Sequence, residues 1–170
     1  MEKIFQIHRK EIFPISLILI LALARLIPHP PNFTPIIAVA IMSSYFFKNI
    51  YLSFATLLIA MLLSDIFIGF YSNMFFVYLS LCLITFIFFK INLQINYKNL
   101  FIFGFFGSLI FYLISNFGVW ILSDLYEKNF SGLITCYFLA VPFFKNTFLS
   151  TLIFSYPVFF GYKYLNKIYT

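Results

Sequence analysis

The sequence predicts an all-α protein: an integral membrane bundle of six transmembrane helices, with residues 1–170 forming a single membrane domain. Three observations carry this. The chain is 63% hydrophobic and 9% charged, against about 25% charged in a soluble domain. Its apolar residues come in continuous runs, not in the ten-residue alternations of a transmembrane β-barrel. The breaks between runs are short and hold Pro, Asn or Lys, the punctuation expected between helices. A spanning helix takes about 20 residues, so five or six spans leave little room for a soluble domain.

The first segment, about Phe13–Ile27, follows the basic pair Arg9 and Lys10. Ala22, Leu23 and Ala24 have the small-x-small form of a signal-peptide cleavage site. The apolar run continues through Leu26 and Ile27, however, and the rest of the chain is equally apolar, so a retained first helix is expected. The second segment, Pro35–Phe47, is short for a span and is expected to be tilted, shielded by neighbours or set in thinned bilayer. Ile50–Phe70, Met74–Phe89 and Leu100–Leu122 follow. The sixth segment, Leu133–Tyr164, is too long for one span. Pro142 is expected to break it, leaving a short outer helix over Gly132–Ala140 and a spanning helix from Phe144 to Tyr164.

Charge gives an independent test of this count. With the N-terminus cytoplasmic, the inner side carries Lys3, Arg9, Lys10, Lys48, Lys90, Lys98, Lys163 and Lys167. The outer side has Lys128 beside Asp124 and Glu127, with Arg25 and Lys145 near helix ends. Every inner loop is then basic, as the positive-inside rule requires. The net charge of +6 is accordingly topogenic, and no nucleic-acid partner is expected. Cys82 and Cys136 lie in separate apolar runs and match no metal or disulfide framework. No internal repeat is evident, which disfavours an inverted-repeat transporter.

Arg25 and Asp65 stand out because nearly everything around them is hydrocarbon. A charge at the centre of a spanning helix costs roughly 2.5–3.5 kcal/mol on insertion scales. Each therefore needs the other or a polar cavity. The six-span topology puts both about one turn from the outer ends of their helices. It brings Ser64, the stretch from Ser115 to Trp120, and Cys136, Tyr137, Lys145, Asn146 and Thr147 to the same depth. The connection from Pro28 to Pro35 has four prolines and is expected to be stiff and extended. It suits a plug or one wall of a pocket. Structural readings stand beside the functional ones: an ion pair for Arg25 and Asp65, a loop position for His29, helix packing for Asn116 and Cys136, an interfacial anchor for Trp120.

No catalytic constellation is found. There is no H-E-x-x-H, no G-x-S-x-G and no P-loop, and Asp124 sits in a polar loop, unsuited to form a carboxylate dyad with Asp65. The protein is expected not to be an enzyme and to need no cofactor or metal.

Four boxes carry a resemblance: RLIPHPPNFTP from Arg25 to Pro35, LLSD from Leu62 to Asp65, SNFGVW from Ser115 to Trp120, and CYFLAVPFFKNT from Cys136 to Thr147. Together, over about residues 20–150, they resemble an uncharacterised family of small bacterial multi-spanning membrane proteins. In size, span number and outward polar site the chain is also similar in architecture to the substrate-binding S components of energy-coupling-factor vitamin transporters. That likeness is an analogy of architecture. It implies a bacterial cytoplasmic (inner) membrane location, a small-molecule ligand and an energising transporter module as partner; the basic inner loops put both termini in the cytoplasm. The small-xxx-small spacing with which such first helices dock a module is not clear here, since Ala22 and Ala24 are two apart.

The expected function is therefore uptake of a small nutrient, a vitamin or precursor, bound in an outward-facing pocket. The candidate substrate-binding residues are Arg25, His29, Asn32, Asp65, Asn116, Trp120, Tyr137, Lys145 and Asn146. Arg25 would hold an anionic group or orient Asp65. Asn116, Lys145 and Asn146 would supply hydrogen bonds, and Trp120 and Tyr137 flat apolar contact. The competing expectations are a non-transporting structural membrane subunit and an intramembrane enzyme acting on a lipid-like substrate.

Overall fold

The computed structural model describes residues 15, 16, 18–20, 22–47, 49–91 and 96–169, with side chains to 164. Within these residues the structure is helical and has no strand. The described part of the first segment is helical up to residue 23 and tightens into a 3₁₀ turn at Ala24–Leu26. Five helices follow: α1 Ile36–Phe46, α2 Ile50–Ile68, α3 Met74–Ile91, α4 Tyr97–Leu122 and α5 Phe130–Tyr169. By length and composition, α2 to α5 are the four that can cross a membrane. The basic positions Lys3, Arg9, Lys10 and Lys48 lie outside the described residues.

The short second segment is the axis of the bundle. At 11 residues α1 is about 16 Å long, yet nine of its residues are buried, with Ile37, Ala38, Ala40, Ile41 and Met42 fully so. It packs against all four long helices. A helix that is apolar on every side belongs in an interior. Of the three expectations for this segment, shielding by neighbours is the one realised.

Local chemistry sets the helix ends. The Asn49 side chain accepts from the backbone N–H groups of Tyr51 and Leu52 at 2.9 and 3.3 Å. Asn96 does the same for Lys98 and Asn99, both at 2.9 Å. Both are N-caps that satisfy orphan amides. At the other end of α2 the chain turns at Gly69, whose φ of 99° an L side chain rarely adopts.

The sixth segment corrects an expectation. Pro142 does not break it: α5 runs from Phe130 to Tyr169 with Pro142 and Pro157 inside. A proline removes one helical hydrogen bond, but its own φ is helical, and prolines are tolerated in membrane helices where neighbours support the backbone. Here α4 supplies that support along the most extensive helix contact of the bundle. The helices approach closely because small residues face their neighbours. At Gly118 of α4, a Cβ would sit 2.1 Å from Asn73 Oδ1 and 2.4 Å from the Phe76 ring.

The two ends of the bundle differ. At one end, Lys90, Lys98 and Lys163 lie over the rings of Phe86, Tyr97 and Phe159. At the other end are Arg25, the 28–35 connection and the start of α5.

Candidate functional site

Arg25 leaves the 3₁₀ turn toward α2. Its Nη2 lies 2.9 Å from Asp65 Oδ1, an ionic contact whose N–H does not point along the line to that oxygen. Its Nη1 donates to Ser64 Oγ at 2.6 Å and to Met61 Sδ at 3.3 Å. Asp65 is 0% exposed and Arg25 9%. A buried charge must be paired and hydrogen-bonded: Arg25 supplies the opposite charge, while Asp65 Oδ1 accepts no hydrogen bond among the described residues. The Tyr78 hydroxyl on α3 donates to Asp65 Oδ2 at 2.7 Å. Asp65 thus ties the first segment to α2 and α3.

Tyr71, in the connection between α2 and α3, is half-buried over the pair. Burial raises its phenol pKa above the ordinary value, and the Asp65 carboxylate adds to the rise. The Arg25 guanidinium pulls the other way, by its charge and by a hydrogen bond to the phenol.

Beside this network opens a cavity of about 340 Å³. Its polar lining comes from Arg25, His29, Asn32 and Thr34 on the first connection, Tyr71 and Asn73 on the second, and Ser115 and Asn116 on α4. Ile36, Ile68, Val77, Phe111 and Val119 supply the apolar walls. The volume is at the small end of the range for ligand sites, about 300–1,000 Å³. The first connection is held in place from α5: Asn146 Nδ2 donates to the Pro31 carbonyl at 3.0 Å, and Thr147 Oγ1 lies 3.5 Å from the Asn32 carbonyl. Asn32 itself has a φ of 59°, a left-handed conformation that asparagine tolerates better than most residues.

The predicted site residues therefore divide. Arg25, His29, Asn32 and Asn116 meet at the cavity, and Asp65 lies behind Arg25, out of the lining. Asn146 acts at one remove, by holding the 28–35 connection. Trp120, Tyr137 and Lys145 do not line it. Trp120 Nε1 donates to the Glu127 carbonyl at 2.9 Å, and Lys128 Nζ bonds the Trp120 and Ser123 carbonyls. That places a cation on the last carbonyls of α4, where the helix dipole favours one. Tyr137 Oη donates to the Leu113 carbonyl at 2.6 Å and receives Tyr112 Oη on its own carbonyl at 2.5 Å; it seals α4 against α5. Lys145 is exposed on α5. These three side chains have partners outside the cavity or face solvent: equal depth along a bundle does not bring side chains to one space.

Sequence reasoning missed Tyr71, Tyr78, Thr34 and Asn73. Tyr78 is one of 12 tyrosines, and no spacing marks it. Asn73 was legible only as a break between helices; in the fold its Nδ2 donates to the Ser115 carbonyl at 2.9 Å, fixing the second connection to α4.

Over residues 5–170 the sequence matches a family described as a family of unknown function, DUF6580. No curated protein and no solved structure matches the chain.

Proposed function

We propose that this chain, which belongs to the family of unknown function DUF6580, is a substrate-binding membrane protein that captures a small nutrient for uptake. The observation that carries the reading is the cavity beside the ion pair. A purely structural pair would be served by close packing on every side. Here, instead, polar groups from two connections and one long helix converge on open space with an apolar wall, the composition of a small-molecule site. The stiff 28–35 connection, held by Asn146, keeps one wall of that space in position.

In this reading the chain crosses a bacterial cytoplasmic membrane six times, counting the first segment and the shielded α1, with both termini cytoplasmic. The cavity then faces outward and Lys90, Lys98 and Lys163 face the cytoplasm, in keeping with positive-inside topology. The chain has no nucleotide-binding motif, so energy for transport would come from a partner module or a gradient.

The test is capture of a small molecule by the purified full-length protein. Mass spectrometry after mild purification should find a co-purifying small molecule, and adding back a small-molecule extract should raise the thermal midpoint saturably. Asn116→Ala should weaken both responses. An empty protein whose stability no extract changes would favour the structural-subunit reading, which the close Arg25–Asp65 ion pair also supports.

A further inference from the structure

We infer that the molecule taken up by the cavity carries no net charge: it is a small neutral compound with amide- or hydroxyl-type groups and one apolar side. This deepens the substrate-binding reading and rests on it.

Arg25 is the one permanently charged side chain in the lining, and its charge is already compensated by Asp65, 2.9 Å from Nη2. Both Nη1 hydrogens have acceptors, in Ser64 Oγ and Met61 Sδ. Nη2 lies against the Asp65 carboxylate. Recognition of a carboxylate or phosphate by arginine uses an open fork with two parallel N–H groups; here Nη1 of the fork is taken by Ser64 and Met61, and Nη2 lies against a carboxylate of the protein itself. An anion could claim it only by displacing Asp65, which has no solvent exposure. That would strand a buried carboxylate on its Tyr78 hydrogen bond alone, a costly outcome. A cation fares no better, because the charge nearest the cavity is the Arg25 guanidinium.

The groups left for a ligand are neutral, and they include donors and acceptors. His29 Nδ1 lies 2.9 Å from the Pro30 carbonyl. A carbonyl only accepts, so Nδ1 carries a hydrogen, which in the neutral tautomer makes Nε2 an acceptor. Asn116 donates its Nδ2 to the Tyr112 carbonyl at 2.8 Å, which leaves its Oδ1 as a second acceptor at the cavity. The Asn32 amide and the Thr34 hydroxyl have no side-chain partner among the described residues, and both can donate or accept. Ile68, Val77 and Phe111 face them as an apolar wall.

The experiment uses full-length protein in detergent. A small-molecule extract of cells is divided by ion exchange into neutral, anionic and cationic pools, and each pool is assayed for a saturable rise in thermal midpoint. The neutral pool should stabilise the protein and the other two should not. Asn116→Leu, which removes one acceptor away from the ion pair, should weaken the response to the neutral pool about fivefold or more. Stabilisation by the anionic or cationic pool alone overturns the neutral class while leaving the substrate-binding reading standing. If no pool stabilises the protein, that reading fails and this inference fails with it.

Discussion

Arg25 and Asp65, 40 positions apart, meet at 2.9 Å in a bundle where Asp65 has no exposure to solvent. Removing either partner leaves a charge without compensation, which costs about 3–5 kcal/mol when the pair is buried. Arg25→Gln and Asp65→Asn should each lower stability by that order in denaturant unfolding of the detergent-solubilised protein. The double variant should be milder than the sum of the two, by at least about 1 kcal/mol. Additive losses would show that the two side chains do not act as a pair.

Tyr78 is the third member of this network. Tyr78→Phe keeps the ring and removes one hydrogen bond to a buried carboxylate oxygen, for a loss of about 1–3 kcal/mol. On the Asp65→Asn background the same change should cost less, since the oxygen it served is no longer charged. An unchanged cost would mean that Tyr78 acts through packing.

Gly118 tests the close approach of α3 and α4. The methyl group of Gly118→Ala would fall on the Asn73 side chain and the Phe76 ring, so a destabilisation of about 1–3 kcal/mol is expected. Gly161→Ala is the control: nothing lies within 4 Å of the new Cβ, and helix propensity makes it neutral or stabilising by up to about 1 kcal/mol. Thermal unfolding of both variants should give shifts of opposite sign, or none for Gly161→Ala.

Trp120 anchors the connection between α4 and α5 instead of touching the cavity. Trp120→Phe should leave ligand capture within about twofold and increase amide hydrogen exchange or proteolysis over residues 123–129, because the indole bond to the Glu127 carbonyl is lost. Loss of ligand capture with an intact loop would return Trp120 to the binding surface.

The orientation of the bundle is open to labelling. On a background with Cys82→Ala and Cys136→Ala, a membrane-impermeant thiol reagent should modify Glu127→Cys from outside intact cells and leave Asn96→Cys untouched. Reaction at position 96 would overturn the proposed topology.

Composition and apolar run length determined much by themselves: the helical class, the four long apolar helices, and the gathering of polar groups at the Arg25 end. These are local or one-dimensional properties. A residue's depth along a helix follows from a rise of about 1.5 Å per position, so Arg25, Asp65, Asn116 and Trp120 could be placed at one level without coordinates. Which of them face one another depends on how each helix is rotated against its neighbours, and that is settled by packing over the whole bundle. Near-uniform apolarity hides the rotation, since a helix that is hydrophobic all round shows no face to read. For that reason α1 was legible as a short segment but not as the buried axis, and the continuity of α5 through Pro142 was decided by its contact with α4. Asn116 and Trp120, one turn apart on the same side of α4, have different partners because the cavity ends between them and the loop with the Glu127 carbonyl begins, which only the tertiary structure shows.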